Sequence, residues 1–150
     1  MTLKERLRAD LTTAMKSRDE LRAATIRMVL TAITTEEVAG KKARELSDDD
    51  VIKVLSREAK KRREAHEAYR AAGRAELAER ESAEQQVIDG YLPEQLSADE
   101  IAELVKAAIE QTGAEGPQAM GQVMKVVQPQ VAGRADGAAV AAEVRRQLGS

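Results

Sequence analysis

Cysteine is absent from this 150-residue sequence, and its only aromatic residues are two tyrosines. The absence of cysteine excludes disulfide bonds, thiolate metal sites, iron–sulfur clusters and cysteine nucleophiles. Without interleaved aromatic side chains to stack on bases, a platform that reads single-stranded nucleic acid is excluded as well. The core must therefore be built from Leu, Ile, Val, Met and Ala, a composition that suits closely packed helices.

Residue sets that activate a substrate are also missing. The single histidine, His66, has Arg62 and Arg70 at the i±4 positions where a second metal ligand would stand, so we expect a structural or solvated role for it. Neither a G-x-S-x-G elbow nor a phosphate-binding glycine loop occurs. The acidic run Asp48–Asp50 is explained by the first turn of a helix, where negative charge is stabilising. We therefore predict no catalytic residues, no metal site and no cofactor, and a binding role instead of free-standing catalysis.

Charge is nearly balanced, with 24 basic and 26 acidic side chains. Residues 1–92 carry 19 basic and 18 acidic residues, and residues 93–150 carry 5 and 8. Capture of nucleic acid by overall positive charge is therefore not indicated, DNA is not expected as a partner, and any basic surface must be local. No apolar leader and no run long enough to span a bilayer occur, so we expect a soluble cytoplasmic protein without membrane association.

Helix-starting signals divide the first part of the chain into about four helices. A hydroxyl side chain followed by an acid three residues later, the pattern of a capped helix start, occurs at Thr2, Ser47 and Ser97. Apolar residues then recur at helical spacing. The expected inward stripes are Leu3, Leu7, Leu11 and Met15, then Leu21, Ala24, Met28 and Ala32, then Val51, Leu55, Ala59, Arg62, His66 and Tyr69, and finally Leu77, Ile88 and Tyr91.

Pro93 prevents a helix from continuing through the residue before it, so we place a domain boundary there. The prediction is an N-terminal helical domain at residues 1–92 and a three-helix domain at residues 93–150. Strand signals are absent, and the predicted fold class is all-α. The helices expected in the second domain are one with Ile101, Leu104, Val105, Ala108 and Ile109 that closes at Gly113, one from Met120 that Pro129 cuts, and one capped by Asp136.

A local basic surface is predicted on the third helix. Lys53, Arg57, Lys60 and Lys61 are spaced so that they share one face. Cations in such a row can contact the phosphates of an RNA backbone, which makes the four residues candidates for RNA binding. The same pattern is typical of a solvated face with ion pairs, such as Lys60 with Glu64.

Three motifs follow one another in order along the chain. They are Ile26-Arg27-Met28, then Tyr91-Leu92-Pro93-Glu94-Gln95-Leu96, and then Met120-Gly121-Gln122-Val123-Met124-Lys125 with Pro129 and Gly133-Arg134-Ala135-Asp136-Gly137. With these motifs the sequence resembles the GatB/YqeY family in its stand-alone, YqeY-like form. The resemblance implies an all-helical fold with an N-terminal bundle and a small three-helix C-terminal domain.

The resemblance also implies a partner. In the amidotransferase B subunit a similar tail follows the catalytic body and helps hold the tRNA whose glutamate or aspartate is converted to the amide, and that body is missing here. The implied partners are tRNA, a tRNA-dependent amidotransferase or a synthetase. Lys125 and Arg134 stand at matching basic positions of the tail, whereas Gln122, Gln128 and Gln130 occupy positions where relatives often carry lysine.

Structural roles are open for the same motif residues. Gly121 and Gly133 fit a close helix approach and a left-handed turn, Asp136 fits a helix cap, and Met120 fits the core, as does Met124. Two functional alternatives stand beside a tRNA-associated module: a helical protein-interaction module with no RNA role, and an accessory of a carbon–nitrogen ligase that uses glutamine as amide donor, which the family naming suggests.

Overall fold

The computed structural model describes residues 1–149, and every regular element in that range is helical, which confirms the all-α prediction. The chain forms two compact units, one at Met1–Leu92 and one that begins at Pro93. None of the helices in the described range is long and apolar enough to cross a membrane. The α-helices of this range are α1 (Leu3–Lys16), α2 (Glu20–Glu37), α3 (Asp48–Ala71), α4 (Ala75–Asp89), α5 (Ala98–Thr112), α6 (Met120–Val131) and α7 (Gly137–Leu148), with a 3-10 turn at Pro117–Ala119 before α6.

Side-chain caps begin the helices where the sequence predicts them. Thr2, Ser47 and Ser97 each accept a hydrogen bond from the backbone N–H three residues later, at 3.1, 3.2 and 3.1 Å. At Ser97 the cap is reciprocal, because Glu100 accepts from the Ser97 N–H at 3.0 Å. Asp50, one methylene shorter than Glu100, instead accepts from the Ser47 hydroxyl. The caps satisfy backbone donors that would otherwise have no partner in the first turn.

The first unit packs α1 against α2 and α3 along α4, around an aliphatic core. Truncating one such core residue, as in Leu7→Ala, costs about 2–5 kcal/mol, because it leaves a cavity as well as losing buried surface. The largest fully buried side chains of this unit are Leu7, Ile26, Ile33, Leu55 and Ile88.

Three apolar residues predicted to face inward are exposed. Met15 is 53% exposed, Met28 39% and Leu77 41%. In two of these cases a neighbour takes the inward position, Ala14 in α1 and Ala78 in α4. One position along a helix turns the side chain by roughly 100°, and the inward face is chosen by the helices that pack against it. The predicted stripes were therefore wrong at these positions.

The second unit has a core made largely of valine. Val105, Val123, Val127, Val140 and Val144 are each fully buried between α5, α6 and α7. Met120 and Met124 are partly buried against the same core, in agreement with a packing role. Each fully buried valine contributes about 1.5–3 kcal/mol by leaving water, so the small unit has its own source of stability.

Pro129 does not end α6, contrary to the sequence prediction. The helix continues to Val131, and the Ala132 N–H still bonds to the Gln128 carbonyl at 3.0 Å. Proline in the last turn removes only one intrahelical bond, the one that would reach the carbonyl of Lys125. Because Pro129 is exposed, water can donate a hydrogen bond to the Lys125 carbonyl instead.

Candidate functional site

The predicted basic row on α3 is present on the surface but partly neutralised. Arg57 pairs with Glu36 of α2 at 3.2 Å, and Lys61 pairs with Glu58 at 3.0 Å. Lys53 is exposed, and Lys60 is half-buried. The pair of Arg57 with Glu36 is exposed on both sides and contributes only about 0–1 kcal/mol, so a phosphate could replace Glu36 at small cost.

The side of α3 that packs against α4 carries a buried ion network, and the sequence revealed only part of it. Arg62, expected to point inward, is 8% exposed, and it lies between Glu58, 9% exposed, and Glu84 of α4, 7% exposed. Its Nη1 is 3.0 Å from Glu58 Oε1, and its Nε is 3.5 Å from Glu84 Oε2. The Sδ atom of Met28 lies 3.5 Å from Nη2. The network joins α3 and α4 and has a structural role.

His66 is also structural, as one of its predicted roles allowed. Its Nδ1 lies 2.7 Å from the carbonyl oxygen of Ala78 on α4. That bond needs the tautomer with a proton on Nδ1, and it fastens the outer part of α3 to α4. Among residues 1–149, no group of three or more His, Asp or Glu side chains is placed to hold a metal ion.

An exposed polar face runs along α6. Gly121, Gln122, Lys125 and Gln128 are all exposed and fall at helical spacing. Lys125 therefore presents its ammonium group to solvent between two amide side chains. This face contains the first half of the tail motif that the sequence singled out.

Gly121 does not serve the close helix approach that was one of its predicted roles. A Cβ built at this position would meet no heavy atom within 4 Å, and Gly121 is not among the glycines with positive φ. Gly121 is the second residue of α6, and no packing contact among the described residues requires glycine there.

Gly133 and Asp136 have the structural roles predicted for them. Gly133 adopts φ = +73° in the turn after α6, a conformation that favours glycine. Asp136 caps α7 by accepting from the Ala138 N–H at 3.2 Å. Ahead of α5, the backbone that follows Pro93 is bonded to this turn, with the Leu96 N–H 2.8 Å from the Arg134 carbonyl.

Arg134 is less available for binding a partner than a fully exposed arginine would be. The side chain is half-buried, with Nε 3.4 Å from the Glu94 carbonyl and Nη1 3.4 Å from the Gln130 carbonyl. It also lines a shallow pocket together with three acidic residues, Asp99, Glu100 and Glu103. The negative surroundings make a phosphate contact at Arg134 electrostatically less favourable than one at Lys125, which pairs with no carboxylate of the described residues.

Tyr91, at the end of the first unit, is held by charged groups. Its hydroxyl donates to Asp10 Oδ2 and accepts from Arg22 Nη2 at 3.2 Å, and the Arg6 guanidinium lies 4.9 Å from the ring centroid. Burial, followed by the hydrogen bond to Asp10, raises the pKa of Tyr91 to about 12. The cluster keeps the phenol protonated and fastens the turn after α4 to α1 and α2.

An open groove that sequence reasoning did not reveal lies where α1 ends and α2 begins. Its volume is about 790 Å3, and Arg80 of α4 closes one side. Alanine side chains form part of its lining. The longer side chains that line it are Met15, Arg18, Leu21, Arg27 and Arg80.

Arg18, in this groove, has the left-handed backbone conformation. Its φ is +58°, and it is the one residue other than glycine with positive φ in the described part of the chain. The Asp19 N–H bonds to the Ala14 carbonyl at 2.9 Å and the Arg18 N–H to the Met15 carbonyl at 3.3 Å, a helix ending that usually has glycine in the place of Arg18. A side chain there costs about 1–2 kcal/mol.

Comparison with known proteins agrees with this architecture. The family described as Yqey-like protein matches residues 4–148. The chain is 33% identical over 149 residues to a protein of Pyrenophora tritici-repentis named altered inheritance of mitochondria protein 41, mitochondrial, with 97% of this chain and 80% of that protein covered. It is 38% identical over 92 residues to an uncharacterized protein of Schizosaccharomyces pombe, with 61% and 72% covered. The chain therefore belongs to the YqeY-like family.

Proposed function

We propose that the protein is a tRNA-binding helical module that does not catalyse a reaction on its own and holds tRNA through the exposed face of α6. The observation that carries the proposal is the exposed α6 face, on which Lys125 lies between two amide side chains and close to Gly121, a glycine that the fold does not require. A position without a side chain allows the backbone of a partner to approach the helix closely.

The side chains around Gly121 have the chemistry of a phosphate and ribose surface. Lys125 can contact a phosphate as a point charge, and the amides of Gln122 and Gln128 can donate to phosphate oxygens or ribose hydroxyls. Contacts of this kind carry little base specificity. They fit recognition of a folded RNA by its shape, which is consistent with the lack of stacking aromatic side chains.

The resemblance to the amidotransferase tail supports tRNA as the RNA. In that subunit the similar helices help hold a charged tRNA while a separate body performs the amide transfer. A tRNA-dependent amidotransferase or a synthetase would then supply the chemistry that the described side chains do not.

Two single substitutions test the proposal in the whole protein. Affinity for labelled total tRNA is measured across a salt series for the wild type, Gly121→Gln and Lys125→Gln. Gly121→Gln should weaken binding about tenfold by blocking close approach, equivalent to about 1.4 kcal/mol. Lys125→Gln should reduce the log–log salt slope by about 0.7–0.9, the value for one lost phosphate contact. Arg134 is left unchanged, because its bonds to two carbonyls would confuse binding with folding.

The matched control is Gly137→Gln at the start of α7, where a Cβ would also meet nothing within 4 Å. This variant should bind tRNA like the wild type. Helicity by circular dichroism should be equal in all four proteins. Absence of binding by the wild type, or equal losses in the two glycine variants, would contradict the proposal.

A further inference from the structure

We propose that the groove between α1 and α2 binds an acidic linear segment of a partner protein, whose apolar side chains enter the groove and whose carboxylates meet Arg18 and Arg27. This surface lies in the first unit and is separate from the α6 face. It therefore goes beyond the proposed function and is tested with different residues.

The apolar part of the groove is built for contact with another surface. Met15 is 53% exposed, although it lies in the last turn of an amphipathic helix, and Leu21 is half-buried beside it. Alanines between them keep the lining shallow. A volume of about 790 Å3 accommodates a few side chains, within the usual range for binding clefts. Met and Arg are also two of the residue types enriched at protein interfaces.

The lining of the groove contains one more basic than acidic side chain. Three guanidinium groups, those of Arg18, Arg27 and Arg80, line the groove with the carboxylates of Asp19 and Glu20. The Asp19 carboxylate already caps α2, where it accepts from the Arg22 N–H at 3.2 Å.

Arg80 shares its carboxylate partner with a second guanidinium group. It pairs at 3.4 Å with Glu84, a carboxylate that also lies 3.5 Å from the buried Arg62. One carboxylate therefore serves two guanidinium groups.

Arg18 places a cation in the groove at a position where its backbone conformation is unfavourable. Glycine would relieve the left-handed backbone at φ = +58° and preserve both hydrogen bonds of the helix ending. Strained backbone conformations often occur at functional positions. Within the described residues the Arg18 side chain makes no hydrogen bond or ion pair. A carboxylate of a partner would give it one, in the bidentate geometry that Arg favours.

An acidic protein segment fits this groove better than RNA does. Half of the lining is aliphatic, which offers nothing to a phosphate backbone, and the groove has no aromatic side chain on which a base could stack. In a segment with leucines next to glutamates, the leucines can pack on the aliphatic lining and the glutamates can pair with the arginines.

The experiment measures binding of a fluorescein-labelled peptide in which leucines are flanked by glutamates, using the full chain. Companion peptides replace the leucines by serine or the glutamates by lysine, and a single-stranded RNA oligonucleotide is tested as competitor. The Leu/Glu peptide should bind the wild type, and each companion should bind at least about fivefold more weakly. Arg18→Gly and Arg27→Gln should each weaken binding by a similar factor, whereas Arg70→Gln, at the far end of α3, should have no effect.

Arg18→Gly is the decisive variant, because glycine favours the left-handed backbone there and the substitution is expected to leave the fold intact. No binding of the Leu/Glu peptide, or equal binding of its serine companion, would overturn the proposal. RNA that competes and loses affinity in Arg18→Gly would overturn it in favour of a nucleic-acid surface. Gly121→Gln should leave peptide binding unchanged and Arg18→Gly should leave tRNA binding unchanged, so that this inference and the proposed function can fail separately.

Discussion

The hydroxyl of Tyr91 donates a hydrogen bond to the carboxylate of Asp10, which lies 81 positions earlier in the chain. The bond fastens the turn that follows α4 to the middle of α1. Both partners are shielded, since Tyr91 is 6% exposed and the side chain of Asp10 is 32% exposed. The position of the last part of the first unit therefore depends on the protonation state of one phenol.

Raising the pH should weaken this fastening in a defined window. The pKa of Tyr91 is about 12 in the folded protein, against an ordinary value of 10.0, so the folded state retains the proton more strongly than the unfolded state. The stabilisation is complete below pH 10 and is lost as pH rises toward about 12. Because Asp10 is one-third exposed, screening limits the loss to about 1–2 kcal/mol.

Phenolate absorbance and denaturant titrations against pH measure these two effects. Tyr91→Phe should remove the titration near pH 12 and reduce the alkaline loss of stability. A phenol at position 91 that titrates at its ordinary value in the wild type would contradict this prediction.

Removing the buried cation of α3 should be strongly destabilising. Arg62→Met leaves the buried Glu58 and Glu84 with only the exposed Lys61 and Arg80 as partners, a loss at the lower end of about 3–5 kcal/mol. Urea unfolding followed by tyrosine fluorescence measures it, because Tyr69 and Tyr91 both lie in the first unit and report on that unit alone. Adding Glu58→Gln and Glu84→Gln to the same protein should recover part of the loss. A cost below about 1 kcal/mol for Arg62→Met would show that the network is solvated.

The sequence predicted the helices well because their signals are local. A hydroxyl at Thr2, Ser47 or Ser97 can reach a backbone donor three residues away whatever the rest of the chain does. The inward faces were less predictable. Met15 and Met28 have the composition of core residues, yet their exposure depends on which helices pack nearby, and that is a property of the whole unit.

The positions on which the two proposals rest were harder to recognise for related reasons. Arg18 could not be identified, because the sequence signal for a left-handed helix ending is glycine and none is present there. Gly121 was recognised as a motif residue, but one role assigned to it was helix packing, and only the open space around its Cα shows that packing does not require it. The basic row on α3 was placed correctly on the surface, while its pairing with Glu36 needed the position of α2.

Replacing Arg18 by glycine should stabilise the first unit. The substitution removes a Cβ from a left-handed conformation and retains the hydrogen bonds of the Asp19 and position-18 N–H groups. We expect a gain of about 1 kcal/mol, reduced somewhat by the greater freedom of glycine in the unfolded chain. Urea unfolding measures the gain, and Arg70→Gln serves as the control. A loss of stability in Arg18→Gly would indicate that the side chain makes a contact that strengthens the fold.

Limited proteolysis should cut first in the link between α2 and α3. Residues 38–45 are exposed, whereas Leu46 is buried and its N–H is held by Glu37 at 3.2 Å. Lys4 also binds Glu37, at 2.8 Å, and this hydrogen bond is the main cause of the lowered pKa of Glu37. Brief digestion with trypsin should therefore cleave after Lys41 or Lys42, as mass spectrometry would show.

The Glu37→Gln variant is a companion test in the same digestion. It removes the carboxylate charge that holds the Leu46 N–H and Lys4, so the link should be cleaved faster. A broad-specificity protease should reach residues 93–97 later, because the Leu96 N–H and the Gln95 side chain are bonded to the turn after α6. First cleavage within α5 would contradict the described organisation.

The bonds from Gln95 and Leu96 to Gly133 and Arg134 also bear on how such a unit can spread among proteins. The stretch that leads into α5 is fastened by the unit's own turn, at 2.8 Å for each bond, so the fastening travels with the unit when it is joined to a new upstream sequence. A segment that begins at Pro93 contains both partners of each hydrogen bond, whereas one that begins at Ala98 lacks Gln95 and Leu96. Gene fusion at Pro93 would thus join the unit to an unrelated upstream sequence with its own fastening complete.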